Sequence, residues 1–229
     1  MWFVPTRQRP DRLQTFLDAC EITAMVMPGL IIVDGADGGD YSSVRVPHNW
    51  RLQVGPKQLE TCGRMDDYFH HHPYARFYSI VNDDVVPLTF GWDCALALAA
   101  GDWNVAYPDD CNNGVAMATQ FVVGGKLARA VGSLGLGFLH TMVDRAWMDI
   151  GRNLGRLVYR PDIQLRHDHW TTGRGNHDGV YRKTFNGEST IPHDRARYDQ
   201  WLIDEFPALI DRLSRVVPPP VEEVVRCVS

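Results

Sequence analysis

The chain has 229 residues, of which 45% are hydrophobic, and this is enough to bury one large core. Its net charge of −5 argues against indiscriminate binding to nucleic acid, although residues 151–200 hold nine Arg and Lys against six Asp and Glu. Five scattered cysteines, no apolar run that could span a bilayer and no signal peptide at the N-terminus predict a soluble cytoplasmic protein with reduced thiols.

The start of the chain predicts a strand, a helix and a second strand. Residues 2–5 and 30–33 are short apolar runs, and residues 51–54 form a third strand. Pro10 and Asp11 are predicted to open the helix between the first two strands, with Asp11 as a good cap and Gln14 completing a capping box. This order indicates a right-handed crossover between parallel strands.

The next helix is predicted to begin at Gly55 and Pro56 and to end before Pro73. Three consecutive histidines, residues 70–72, lie at its end. Adjacent side chains at a helix end point in different directions, so they seldom bind one ion together. We interpret this run as a surface turn.

An aromatic and β-branched strand at residues 77–81 is followed directly by Asn82, Asp83 and Asp84. Pro87 ends the strand region, and residues 88–100 have the composition of a helix. Acidic side chains directly after a buried strand lie at the edge of a sheet, where α/β proteins bind their ligands.

The second half of the chain alternates strands and helices and ends in a long helix. Strands are predicted at residues 104–107, 119–123, 156–159 and 163–165, and helices at residues 126–131, 142–154 and 194–216, the last one interrupted at Pro207. Residues 171–192 are polar and rich in glycine, which is typical of a functional lid.

Three predicted strands therefore end in polar side chains. If the strands are parallel, these ends meet at one edge of the sheet and form a nucleotide pocket. Asp34 can accept a hydrogen bond from a base or ribose, and Thr6 and Arg7 can hold base or phosphate. Asp84 can bind Mg²⁺ or Mn²⁺ together with a diphosphate, and a histidine ligand would favour Mn²⁺.

The order of these motifs resembles that of the GT-A glycosyltransferases of family 2. The matching pieces are PTRQRP at residues 5–10, IVDG at residues 32–35, and Asn82-Asp83-Asp84 in place of Asp-x-Asp. Further on, residues 143–167 follow the family order of an acid opening a helix, then Arg, Gly, a strand, Pro and a strand ending in His. Asn82 replaces the first acid of the metal motif, and Val143 replaces the first acid of the later pair.

The resemblance implies roles for several of these residues. Asp144 is expected to be the catalytic base, and His167 or His169 is expected to join Asp84 as a ligand of the metal or the diphosphate. The residues expected to contact the donor are Thr6, Arg7, Asp34, Lys57 and Asp83.

The predicted fold is α/β: a GT-A, Rossmann-like, mostly parallel mixed sheet flanked by helices, with a C-terminal helical extension. Residues 1–170 are expected to form the nucleotide-sugar-binding and catalytic domain, and residues 171–229 a flexible lid and a helix packed on it. The expected activity is metal-dependent, inverting transfer of a sugar from a nucleotide sugar, with a UDP-sugar favoured. The Gln-x-x-Arg-Trp motif of processive synthases is absent from the sequence.

The acceptor and the reaction class leave alternatives open. The short chain and its arginine-bearing second half resemble small phage transferases, so one hypothesis for the acceptor is a hydroxymethylated pyrimidine in phage DNA, modified in the host cytoplasm. A metal-dependent hydrolase of nucleotides or phosphoesters, built on Asp84, His167 and His169, is a second class. A nucleotide-sugar-binding module without turnover is a third.

Overall fold

The computed structural model describes residues 2–25, 28–33, 40–55, 60–175 and 190–219. The strands are β1 (Trp2–Thr6), β2 (Gly29–Val33), β3 (Trp50–Val54), β4 (Phe77–Ser79), β5 (Val85–Pro87), β6 (Val105–Asp109), β7 (Val122–Gly124) and β8 (Leu157–His167). The helices are α1 (Pro10–Thr23), α2 (Thr61–His71), α3 (Trp92–Ala100), α4 (Gly125–Val131), α5 (Val143–Asn153), α6 (Ile191–Asp204) and α7 (Phe206–Ser214). The predicted mixed α/β architecture is confirmed.

The strands form two groups that lie side by side. β1, β2 and β3 are parallel neighbours, and the second group has the order β4-β7-β6-β8-β5, in which β6 and β8 are parallel and the other pairs antiparallel. The groups join where the backbone N–H of Val81 donates to the carbonyl of Phe3 (3.0 Å) and the N–H of Phe3 donates to Ser79 Oγ (3.2 Å). β1 therefore borders the segment that leads to Asp83 and Asp84.

Alternate residues of the strands pack into two separate cores. Phe3 and Leu30 belong to a cluster that includes residues of α2, α5 and α6, whereas Trp2 and Ile31 belong to one that includes residues of α1 and α3. Because successive side chains point to opposite faces of a sheet, helices cover both faces. This explains why β1 and β2 are apolar throughout instead of alternating apolar and polar residues.

Several predicted boundaries were wrong. α1 begins at Pro10 after Arg9, and no side chain caps it, so Asp11 is not its N-cap. α3 begins at Trp92 and not at residue 88, because residues 85–87 form β5 against β8. The two strands predicted around Pro161 are one strand, β8, with an irregularity in its pairing to β6. The C-terminal helix is interrupted as predicted, with Pro207 in the first turn of α7.

The histidine run at residues 70–72 lies at the end of α2. The rings of His70 and His71 are exposed, and each Nδ1 bonds to a backbone carbonyl one turn earlier in α2. Most of the predicted lid, residues 176–189, lies outside the described residues. None of the helices in the described ranges has the length and apolar character needed to cross a membrane.

Candidate active site

Thr6 and Asp83 meet at the end of β1. The hydroxyl of Thr6 donates to Asp83 Oδ2 over 2.7 Å, and both residues are buried. Since Phe3 contacts Ser79 and Val81 at the other end of β1, the two segments run in the same direction and end at the same edge. The predicted convergence is thus visible for two of the three strand ends, whereas Asp34, at the third, lies outside the described residues.

Asp84 lies between a guanidinium and an imidazole. Arg9 Nη1 is 3.2 Å from Asp83 Oδ1 and 3.4 Å from Asp84 Oδ2, so one cation serves both carboxylates. His167 Nε2 is 3.1 Å from Asp84 Oδ1. All four side chains are largely buried, and we call them the carboxylate cluster: Arg9, Asp83, Asp84 and His167.

The pKa values in the carboxylate cluster reflect burial and close charges. Burial raises the pKa of Asp83 to about 6, helped by the neighbouring charge of Asp84 and opposed by Arg9. For His167, burial lowers the pKa, but the hydrogen bond and charge of Asp84 outweigh it, so the net direction is upward. Two close buried carboxylates next to groups with shifted pKa values are typical of a functional site.

A loop after β6 fixes His167 from behind. The backbone N–H of His167 donates to the carbonyl of Asp110 (3.0 Å), and the side chain of Asn112 donates to the carbonyl of His167 (2.6 Å). The buried carboxylate of Asp110 accepts hydrogen bonds from the backbone N–H groups of Asn112 and Asn113 and from the hydroxyl of Thr119. The turn at residues 108–114 therefore holds the backbone of His167 in place beside the site.

Asp144 lies in the first turn of α5 and is half-buried. Its Oδ1 accepts the backbone N–H of Arg145 over 2.8 Å. Burial raises its pKa, while this hydrogen bond and the charges of Arg145 and His167 oppose the rise. Its expected role as the catalytic base stays a prediction.

His169 is close to the carboxylate cluster and also bonds to Thr171. Its ring packs against that of His167 with centroids 5.4 Å apart, and its Nδ1 is 2.7 Å from Thr171 Oγ1. Burial and the charge of His167 lower its pKa. His167 contacts Asp84 at 3.1 Å, and His169 lies beside His167.

Of the three other residues expected to contact the donor, Arg7 lies within the described residues and Asp34 and Lys57 do not. Arg7 is half-buried and follows β1 directly, two residues before Arg9. Asp34 and Lys57 lie outside the described residues, so their expected roles stay predictions. Asn82, which replaces an acid of the metal motif, donates its backbone N–H to the buried side chain of Gln120 over 2.8 Å.

A cavity of about 320 Å³ opens beside the ends of β2 and β3. Its lining includes Leu30, Ile32, Gln53, Val54, Gly55, Arg64, Asp67, Tyr68, His71 and His72. Half of these ten lining residues are polar or charged, and the rest are apolar, aromatic or glycine. Arg64 is a buried cation on this wall, at 6% exposure.

Sequence reasoning missed Arg9 and Arg64 as candidate site residues. Arg9 lies in the PTRQRP run and could have been found there, because a second arginine after a strand end offers another contact to acidic groups. Arg64 carried no signal, since a single arginine inside a helix is usually exposed. Its burial is visible only in the structure.

The fold is that of the GT-A glycosyltransferases, and structure comparison gives the particular relatives. The chain is similar in structure to S. aureus TarS, with a TM-score of 0.53 and 9% identity over 73% of this chain and 36% of that one. It is similar to TarS 1–349 in complex with UDP (TM-score 0.55, 10% identity, 72% of this chain and 58% of that one) and with UDP-GlcNAc (0.54, 12%, 72% and 56%). The chain thus spans less than two thirds of the length of these proteins. No family model and no curated protein sequence matches it.

Proposed function

We propose that this protein transfers a sugar from a nucleotide sugar, with a UDP-sugar as the favoured donor, to a hydroxyl acceptor. The observation that carries the proposal is the carboxylate cluster at the strand edge of a GT-A fold, with Asp84 and His167 in contact at 3.1 Å. The complexes of TarS with UDP and UDP-GlcNAc support the choice of donor.

Asp84 and His167 are the residues that would hold a divalent metal ion, because their side chains lie together, with Asp84 Oδ1 3.1 Å from His167 Nε2, and carboxylate and imidazole are ligands that such ions accept. Among the described residues, no group of three or more His, Cys, Asp or Glu side chains could hold such an ion, so the remaining ligands would have to come from the diphosphate and water. When bound, Mg²⁺ or Mn²⁺ would neutralise charge on the leaving diphosphate.

Arg9, Arg64 and Asp144 have separate roles in the proposed reaction. Arg9 compensates the charge of Asp83 and Asp84 and keeps both carboxylates in place. The cavity beside β2 and β3, with its buried Arg64, is the proposed place for the nucleoside. Asp144, whose pKa is raised by burial, is the proposed base that removes the proton of the acceptor hydroxyl during an inverting displacement.

The acceptor is proposed from charge. Arg145 and Arg174 are exposed, one next to Asp144 and the other bonded to Asn112 behind His167. These arginines are compatible with an anionic acceptor, and a hydroxymethylated pyrimidine in DNA remains the specific hypothesis. Binding to duplex DNA that weakens steeply with salt is expected in that case, and no binding at low ionic strength would contradict it.

The experiment combines donor binding with one substitution. We expect UDP and one or more of UDP-GlcNAc, UDP-glucose and UDP-galactose to raise the Tm in the presence of Mn²⁺, with a smaller effect after chelation. We expect Asp144→Asn to lower transfer about 10²- to 10⁴-fold while UDP affinity stays the same, because the amide cannot accept a proton.

The matched control is Asp102→Asn, which changes an exposed carboxylate paired with Lys126 away from the carboxylate cluster. It should leave transfer unchanged. Full transfer by Asp144→Asn would remove Asp144 from the mechanism. Donor breakdown in the absence of acceptor, at a rate that added acceptors do not change, would favour the hydrolase.

A further inference from the structure

The loop of residues 139–141 lies where three helices begin. The carbonyl of Leu139 accepts the N–H of Cys62 in the first turn of α2 (3.0 Å). The carboxylate of Asp194, in the first turn of α6, accepts the backbone N–H groups of all three loop residues at 2.9, 2.8 and 2.7 Å. α5 begins two residues later, at Val143. The backbone of this loop is therefore tied to α2 and α6 immediately before Asp144.

The side chain of His140 is fixed at one of its two nitrogens. Its Nδ1 is 2.7 Å from the hydroxyl of Thr61, and the ring is half-buried. Within the described part of the chain, no hydrogen bond reaches Nε2. A hydrogen bond at one ring nitrogen orients the imidazole and selects the tautomer at the other. Nε2 is thus a preoriented polar atom that the fold itself does not use.

The position of His140 in the chain relates it to the proposed base, because its loop leads directly into α5. Burial lowers the pKa of His140 and the charges of Glu60 and Asp194 oppose that effect, with a net downward direction that favours the neutral imidazole at pH 7. In the sequence it precedes Asp144 by four residues.

We propose that His140 hydrogen bonds through Nε2 to a hydroxyl group of the donor's sugar ring and thereby helps to select the sugar. This inference rests on the proposed function. Asp144, the proposed base, lies in the first turn of the helix that the His140 loop enters, and the donor part that the activated acceptor attacks is the sugar. A neutral imidazole suits a hydroxyl group, whereas a charged side chain would also attract the diphosphate and would discriminate less between sugars.

Two substitutions at position 140 separate the ring nitrogens. His140→Asn keeps an amide near the position of Nδ1, within reach of Thr61, but has no atom near Nε2. His140→Gln places its amide near Nε2 and gives up the position of Nδ1. Calorimetric Kd values for UDP, UDP-GlcNAc, UDP-glucose and UDP-galactose, measured with Mn²⁺ on the full chain, give the ratio of UDP to UDP-sugar affinity for each variant.

We expect His140→Asn to weaken binding of the preferred UDP-sugar about 10-fold, the effect of one lost hydrogen bond, with UDP affinity unchanged. His140→Gln should retain most of the preference, and Thr61→Val, which frees the ring, should reduce it by a smaller factor. The matched control is His70→Asn, an exposed histidine of α2 whose Nδ1 also bonds to an oxygen. It should bind all four ligands like the unmodified chain.

Two results would overturn this inference. One is an unchanged ratio for His140→Asn with all three UDP-sugars at an unchanged Tm. The other is an equal loss for UDP and UDP-sugar, which would place His140 at the diphosphate or in the fold. If the unmodified chain binds neither UDP nor any of the three UDP-sugars, the proposed donor fails first, and this is seen before any variant is made.

Discussion

Asp83 and Asp194 are both buried carboxylates, with 5% and 0% exposure, but their hydrogen bonds come from different donors. The oxygens of Asp83 face the hydroxyl of Thr6 and the guanidinium of Arg9. Asp194 accepts three backbone N–H groups, and its pKa lies below its usual value because these bonds outweigh burial. Asp83, next to the like charge of Asp84, has its pKa raised to about 6.

The difference separates a structural carboxylate from a candidate ligand-binding one. Backbone N–H groups are held in place by the fold, and a carboxylate that accepts several of them stabilises the chain in its ionised form. Asp110 belongs with Asp194, since backbone N–H groups from its own turn lower its pKa against the effect of burial. The carboxylates of Asp83 and Asp84 repel each other and contact the side chains of Thr6, Arg9 and His167, so a bound cation would stabilise their ionised forms.

The largest expected effect is the loss of stability when Asp194, the structural carboxylate, is removed. We expect Asp194→Ala to lower the free energy of unfolding by roughly 3 to 5 kcal/mol, because three backbone N–H groups and the hydroxyl of Thr141 lose their acceptor in a buried place. Urea denaturation at pH 7 measures the change.

The control for Asp194→Ala is Asp199→Ala, one turn later on α6 and exposed. It should change stability by less than about 0.5 kcal/mol. Similar losses in both variants would mean that helix composition, and not the contact to residues 139–141, accounts for the effect.

The sequence was informative where the local pattern determines the structure. Apolar runs bounded by polar residues predicted β1 and β2 and the strand before Asn82, because a strand buried on both faces has few polar side chains. The parallel arrangement then brought Thr6 to Asp83. The prediction that Asp84 and His167 belong to one site came from family resemblance, and the structure places these two in contact.

Contacts between distant segments could not be predicted. Arg9 is 74 positions from Asp83 and 75 from Asp84, and the loop at His140 is 54 positions from Asp194. Such contacts depend on how elements pack, and side-chain type alone does not specify the partner. The same limit explains α3: residues 88–91 have helical composition, but the N–H of Leu88 pairs with Gln164 of β8 and Gly91 adopts φ +74°.

A smaller effect is expected from Asp83, a candidate ligand-binding carboxylate, in the pH dependence of stability. In the folded chain Asp83 has a pKa of about 6, against roughly 4 when unfolded, so between these values the folded state binds more protons. Stability contributed by this group is therefore lost as pH rises from 4 to 6. We expect the unfolding free energy of the unmodified chain, relative to that of Asp83→Asn, to fall by about 2 to 3 kcal/mol over this interval.

Denaturation curves of both proteins at several pH values between 4 and 7, without added metal, give this difference. Any constant offset between them reflects the altered contact to Arg9, so only the change with pH is relevant. Asp110→Asn offers the opposite case, because the lowered pKa of Asp110 means that its contribution is lost as pH falls. A gap that stays constant, or that widens in favour of the unmodified chain as pH rises, would contradict the assignment of Asp83.

The smallest effect is expected from Asp11, which is neither a structural carboxylate nor a candidate ligand-binding one. Asp11 lies in the first turn of α1, exposed, and α1 has no side-chain cap. A true N-cap aspartate contributes about 1 kcal/mol, whereas a charge near the helix start adds only a few tenths. We expect Asp11→Ala to cost less than about 0.5 kcal/mol, and less still in 1 M salt, because screening removes the interaction with the helix dipole. A loss near 1 kcal/mol that salt does not reduce would restore Asp11 as the cap and show that a carboxylate can bind backbone N–H groups at this end of the sheet as well.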